Sequence, residues 1–304
     1  MSSQTQYAKN GEVSVAYETF GEATGEPLLL FMGLDFQMVW WPDAFCQQLA
    51  NRGFYVARFD NRDTGLSTHF TSARKENALK AQLGMSKPTY TAVDMLNDAL
   101  AVMDALGWGQ ANILGASMGA GLAQGMVLLH PERAKSLISV MGLPATVSSF
   151  GSLKYIRMGA LSKMLKIKPA QDREGEIEML TSIYRLIASP GYPFPEQWVR
   201  ETAGISYDRA PRDPNSTQRQ LSASRATKYP SLSTIDVPSL VIGGEDDPLI
   251  KISGSRDTAK QIPGARLVTY PGMGHNMPQE LWQQIVDEVC AVAGLSAESD
   301  SGRV

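Results

Sequence analysis

The chain is poor in the residues that staple small exported proteins together. Cys46 and Cys290 are its only cysteines in 304 residues, too few and too far apart for a disulfide framework or a metal-ligand spacing. Two buried free thiols are the expected state. No apolar run approaches the length of a membrane span, so no insertion into a bilayer is expected. Met1-Ser2-Ser3-Gln4 lacks a basic stretch followed by an apolar one, which argues against a signal peptide and for a cytoplasmic location. An excess of one charge is missing too. With 28 Lys and Arg against 31 Asp and Glu the net charge is −3, which makes no electrostatic case for nucleic acid or an anionic membrane as a partner. Histidine is scarce, with three in the chain, and that shortens the search for a general base. What remains is 43% hydrophobic and 19% charged, enough to bury a core in one large domain or a domain with an insertion.

Hydrophobic patterning predicts an α/β fold. Val13 to Phe20 alternates as a half-buried strand does, with a hairpin signal in Asn10-Gly11 just before it. Leu28-Leu29-Leu30-Phe31 is continuous and apolar, as a strand covered on both faces would be. A helix is expected over Trp41 to Arg52, a strand over Phe54 to Phe59, and a helix over Ala92 to Leu106 with Thr91 as its cap and Gly107 as its stop. Lys75 to Lys87 is polar and poorly patterned, and reads as surface. Strand Ala111 to Leu114, helix Met118 to Leu129 and strand Leu137 to Met141 follow. This alternation is the mark of a mostly parallel sheet with helices on both faces. From Leu143 to about Ser233 the pattern turns helical, including Leu153 to Leu165 and Glu174 to Ile187, broken by Ser189-Pro190-Gly191-Tyr192-Pro193. Alternation then resumes with strand Val237 to Ile242, helix Gly254 to Gln261, strand Ala265 to Tyr270 and a helix from Pro278 to about Val292. The expected organisation is a core of 1–142 and 234–295, a helical cap of 143–233, and a small polar tail, 296–304, without order.

Chemistry centres on Gly115-Ala116-Ser117-Met118-Gly119, a G-x-S-x-G pattern between a strand and a helix. On such a turn the serine is forced into a strained conformation that projects its hydroxyl, and the free N–H groups of the helix start lie behind it. A serine hydroxyl is a weak nucleophile at neutral pH and needs a base, which needs an orienting carboxylate. His130 lies at the far end of the Ser117 helix, about 18 Å away at 1.5 Å per residue, and is read as structural. His69 follows the loop after Phe59 and is a lesser candidate. His275, in Pro271-Gly272-Met273-Gly274-His275, follows the last strand and is the preferred base, because ligands bind at the carboxyl edge of open α/β sheets. For the carboxylate, Glu245-Asp246-Asp247-Pro248 offers three acids. Pro248 fixes the turn beside Asp247, which is preferred, with Asp246 the runner-up. No metal or organic cofactor is implied.

The chain resembles the α/β-hydrolase fold superfamily, and within it most closely carboxylic ester hydrolases of the aclacinomycin methylesterase type. The resemblance rests on Leu28 to Gly33, Trp41-Pro42-Asp43, Asp60 to Ser67, Gly115 to Gly119, Glu245 to Pro248 and Pro271 to His275. It implies nucleophile, orienting acid and base at Ser117, Asp247 and His275, in the order expected on that sheet. It implies an oxyanion hole from the backbone N–H groups of Leu34 and Met118. Many relatives carry histidine-glycine where this chain has Met32-Gly33, and many carry glycine in place of Leu34, whose bulk should narrow the acyl side. The Asp60 to Ser67 loop is read, in preference to a substrate contact, as a structural turn in which Arg62 and the aspartates bond the loop backbone and one another. Trp40 and Trp41 lie close to the Leu34 loop and are divided between walling a pocket and filling the core. In the cap, Met158, Met164, Met179, Tyr184, Tyr192, Phe194 and Trp198 are divided between helix packing and an apolar channel. The implied activity is hydrolysis of small to medium apolar carboxylic esters through an acyl-enzyme, with a small-molecule ester as partner and the oligomeric state open. The same constellation also serves C–C bond hydrolases, lactonases, thioesterases and cofactor-free haloperoxidases. A ligand-holding receptor on this scaffold is the non-enzymatic alternative. A serine at 117 disfavours the aspartate-nucleophile branch of the fold.

Overall fold

A computed structural model describes residues 4–70, 88–168 and 170–295. The expected surface stretch Lys75 to Lys87 and the tail 296–304 lie outside the described residues. The strands are β1 (Gln6–Asn10), β2 (Val13–Phe20), β3 (Glu26–Phe31), β4 (Phe54–Phe59), β5 (Ala111–Ala116), β6 (Ala134–Val140), β7 (Ser239–Gly244) and β8 (Arg266–Tyr270). They form one eight-stranded sheet in the order β1-β2-β4-β3-β5-β6-β7-β8. The β1–β2 and β2–β4 pairings are antiparallel, and every other pairing is parallel. Among the described residues the α-helices are α1 (Asp43–Asn51), α2 (Ala92–Ala105), α3 (Met118–Leu129), α4 (Ser149–Ser152), α5 (Met158–Met164), α6 (Arg173–Ile187), α7 (Glu196–Arg209), α8 (Ser216–Ala226), α9 (Ser253–Gln261) and α10 (Trp282–Ala293).

The run Leu28 to Phe31 makes β3 a central strand because it supplies apolar groups to both faces. Leu28 and Leu30 join Phe45 and Leu49 of α1 and Ile285 and Val289 of α10 in one core. Leu29 and Phe31 join Met95 and Leu96 of α2 and Leu122 of α3 in the other. A fully buried leucine contributes roughly 1.5–3 kcal/mol, so this four-residue run anchors both layers. The cap of α2 is the one expected. The Thr91 hydroxyl accepts from the Asp94 N–H while the Asp94 carboxylate accepts from the Thr91 N–H, and Gly107 leaves the helix with φ +71.

Several boundaries differ from the sequence reading. β1 has a single buried residue and shows little apolar signal. The chain reaches α1 through a 3₁₀ turn, Met38–Trp40, and Pro42 delays the helix to Asp43. β7 starts at Ser239 because Pro238 has no N–H to enter the ladder, and it runs on to Gly244. The expected helix Leu153 to Leu165 is interrupted. Ile156 forms a bridge with Ile250, Arg157 N–H donates to Leu249 O (2.8 Å) and Lys251 N–H to Tyr155 O (2.7 Å).

Among the described residues, the segment between β6 and β7 holds α4 to α8. It lies on the loops that leave β3, β4, β7 and β8. Much of the attachment is ionic: Arg209 pairs with Asp60 (2.9 Å), Arg212 with Asp35, and Arg219 with Asp63 (2.7 Å). The Asp60 to Ser67 turn therefore differs from expectation. Asp60 does accept from the loop N–H of Leu66 (3.0 Å), but Arg62 leaves the loop for Asp98 of α2, and the aspartates take their arginines from the helical segment. Arg219 and Asp63 are both nearly inaccessible, with side-chain exposures of 5% and 0%. Removing one partner strands the other charge. Arg219→Ala is expected to lower unfolding stability by about 3–5 kcal/mol, read from urea denaturation.

Both cysteines are buried and free. Burial pushes the Cys46 thiol up to about 12, against a smaller opposing pull from the Arg58 guanidinium. Ellman's reagent at pH 8 should leave Cys46 unmodified in the folded protein and titrate it in guanidinium, because the thiolate is the reacting form. No described helix is long and apolar enough to cross a membrane.

Candidate active site

The segment 115–119 turns from β5 into α3 with almost no room. A Cβ on Gly115 would stand 2.0 Å from Gly119 O, and one on Gly119 would stand 2.1 Å from Phe31 O. Ser117 between them has φ +57 and ψ −118, outside the regions that L-residues prefer. Its N–H is held by Val140 O at the end of β6 (3.0 Å). Such strain costs of order 1–3 kcal/mol and persists because the close-packed turn leaves no alternative.

Three strand ends then converge. Ser117 follows β5, Asp247 follows β7 and His275 follows β8. The His275 Nε2 lies 2.8 Å from Ser117 Oγ, and its Nδ1 lies 2.6 Å from Asp247 Oδ2. The other oxygen, Asp247 Oδ1, accepts from the N–H groups of Leu249 (2.7 Å) and Ile250 (2.8 Å), which fixes the carboxylate. A carboxylate only accepts, so Nδ1 carries the ring proton and Nε2 offers its lone pair to the serine hydroxyl. Asp247 and His275 are buried, at 2% and 6% exposure. Asp246 faces away and accepts from Gly272 N–H (2.8 Å). Of the other histidines, His69 bonds Gly65 O (2.8 Å) in a separate polar pocket beside Asp35 and Asp63. His130 ends α3, with its Nδ1 3.8 Å from Glu132.

Met118 is the first residue of α3, so its N–H has no acceptor within the helix. Leu34, in the turn after β3, borders the same space as Ser117. Ser117, Leu34 and Met141 stand where two cavities meet. One is apolar and aromatic, lined by Phe36, Trp40, Tyr184, Met164, Met277 and His275 among others. The second runs past Met118, Leu143, Arg225 and Tyr229. Trp40 stacks on Tyr184 at 5.4 Å, so a residue of the β3 loop and one of α6 share the first wall.

Sequence reasoning misses several residues around this site. Met141 has φ +46 and lines both cavities. Ser189 and Asn276, both buried, bond one another beside His275, and Asn276 also borders the apolar cavity. A lone serine before a proline carries no motif, and nothing in the sequence singles it out. Among the described residues no group of three or more His, Cys, Asp or Glu is placed to hold a metal ion.

A serine, an imidazole and a carboxylate in series at the carboxyl edge of a mostly parallel sheet define the hydrolase arrangement of this topology. The chain belongs to the alpha/beta hydrolase fold family, whose profile matches residues 27–279. It is similar to rhodomycin D methylesterase DauP of Streptomyces sp. (strain C5), with 28% identity over 302 residues, covering 94% of this chain and 97% of the relative. Rhodomycin D methylesterase DnrP of Streptomyces peucetius matches to the same extent. Among solved structures, esterase RhEst1 from Rhodococcus sp. ECU1013 superposes with a TM-score of 0.69 at 18% identity, covering 96% of this chain and 99% of the other, which bears on the fold alone.

Proposed function

We propose that the chain is a serine-dependent carboxylic ester hydrolase, with Ser117 as nucleophile, His275 as base and Asp247 as its orienting acid. His275 Nε2 takes the hydroxyl proton as Ser117 Oγ attacks the ester carbonyl. The resulting oxyanion is held by the N–H groups of Leu34 and Met118, each such donor contributing about 3–4 kcal/mol to the transition state. Collapse expels the alcohol, which takes the proton from His275. Water then attacks the acyl-enzyme by the same route and releases the acid. The observation that carries this reading is the unbroken series from Ser117 through His275 to Asp247, at 2.8 and 2.6 Å.

The helices of 143–233 act as the cap over this centre and supply Met164 and Tyr184 to the apolar cavity. Two cavities meeting at Ser117 suit an ester whose acid and alcohol parts leave in different directions. The aromatic wall favours a flat apolar group on one side. Because two relatives are methylesterases, methyl esters are the first natural-type substrates to try. The test is hydrolysis of p-nitrophenyl esters of graded chain length, together with methyl esters of arylacetic acids, against a Ser117→Ala control. Acid release that vanishes in the control supports the reading. Turnover of lactones or vinylogous diketones with open-chain esters untouched would assign the centre to another hydrolysis.

A further inference from the structure

The loop that bears His275 is not held by the sheet alone. A run of hydrogen bonds ties it to residues 187–191, which leave α6 of the helical segment. His275 N–H donates to Ile187 O (2.8 Å), and Gly191 N–H donates to Gly272 O (2.9 Å). The Gly274 N–H donates to Ser189 Oγ (2.7 Å). The same hydroxyl donates to Asn276 Oδ1 (2.7 Å), which also accepts from the Ser189 N–H (2.7 Å). One hydroxyl therefore bridges the residues on either side of the imidazole, accepting from one and donating to the other, which uses its single proton fully.

The seam is too close for bulk. A Cβ on Gly274 would stand 2.5 Å from Ala188 O, and one on Gly191 would stand 2.5 Å from Gly272 Cα. Both members of the polar pair are buried, Ser189 at 5% and Asn276 at 8% exposure, so water does not readily replace the bridge. We propose that Ser189 is a positioning residue for His275, acting through Gly274 and Asn276. The helical segment thereby sets the imidazole's aim at Ser117 as well as roofing the substrate. This rests on His275 being the base. It goes beyond that reading by assigning the base's geometry to a residue outside the sheet and its loops.

The test compares Ser189→Ala, Ser189→Thr and Asn276→Ala with wild type and Ser117→Ala. Rates are expressed per active site titrated with a fluorophosphonate in every variant that keeps Ser117, so that unfolded protein does not count, and per mole of folded protein in Ser117→Ala. A reactive group displaced by about 1 Å loses on the order of a hundredfold in rate. Ser189→Ala is expected to lose about ten- to a hundredfold in kcat, with KM close to wild type, because the hydroxyl touches no substrate. The low-field proton resonance of the His275–Asp247 hydrogen bond should broaden or vanish with it. Ser189→Thr, which keeps the hydroxyl, should recover most of the rate. Asn276→Ala reaches the bridge from the other side and should lower kcat and weaken the low-field resonance in the same direction, with a change in KM besides because Asn276 also borders the apolar cavity; this keeps the proposal testable if Ser189→Ala does not fold. Wild-type kcat per titrated site in both alanine variants, with the low-field resonance intact, overturns the proposal even if their melting temperatures fall. Undiminished ester turnover in Ser117→Ala would instead overturn the assignment of the nucleophile.

Discussion

Ser117→Ala is expected to reduce kcat for ester hydrolysis by about a millionfold, the scale on which comparable serine-imidazole arrays lose activity when one member is removed. The expectation follows from division of labour. Without Oγ no acyl-enzyme forms, and His275 can only activate water that nothing holds against the carbonyl. With Leu34 and Met118 in the roles proposed for them, what survives is the contribution of their N–H groups and of binding, about 10³–10⁴-fold over water. Ester binding should persist, because the methyl group of alanine fits wherever Cβ of serine does. Alanine also meets the same backbone strain at φ +57, so the melting temperature should stay near wild type. Stopped-flow with a p-nitrophenyl ester adds a second readout: the burst of released phenol present in wild type should be absent. A burst of undiminished amplitude in the variant would end the acyl-enzyme account.

Asp247→Asn is the second large effect, a loss of about 10⁴-fold in kcat. An asparagine can turn its amide N–H toward Nδ1. That drives the ring proton to Nε2, where it faces Ser117 and can no longer accept the hydroxyl proton. The geometry should survive, because the amide oxygen of the substituted side chain could still accept from the Leu249 and Ile250 N–H groups. Asp246→Asn makes the informative contrast. That exposed side chain bonds Gly272 N–H and does not reach the imidazole, so kcat should remain near wild type. Equal losses in the two variants would show that the acidic turn acts through its overall charge and not through one oriented carboxylate.

Much of this arrangement is legible in the residues because its determinants are local. The G-x-S-x-G turn needs two residues without side chains and places a serine between a strand and a helix, and a five-residue window displays all of that. The last-strand histidine is legible by elimination, since only three exist. Choosing Asp247 over Asp246 used only the neighbouring Pro248, and the structure gives the reason in Asp247 Oδ1, which is pinned by the two N–H groups just beyond that proline. The illegible parts are those made at long range. The arginine partners of Asp35, Asp60 and Asp63 lie 177, 149 and 156 residues away, and no periodicity announces such a pairing. The expected helix from Leu153 fails for the same reason. Its pattern is helical, yet Tyr155 to Arg157 find backbone partners at Leu249 to Lys251 that a local reading cannot see.

Those backbone partners have a practical meaning for anyone who would change what this protein accepts. The helical segment grips the strand-end turn that carries Asp247 at one place and the turn that carries His275 at another. It is therefore not a removable cassette. On the roles proposed for Ser189, Asp247 and His275, a chimera that imports a foreign helical segment would bring new walls but would also disturb the imidazole's aim at Ser117. Useful hybrids should exchange residues 155–157 together with 249–251, and residues 187–191 together with 272–276, as matched sets. Libraries confined to the inner faces of α5 and of α6 short of Ile187 leave both joints untouched and are the safer route to altered selectivity.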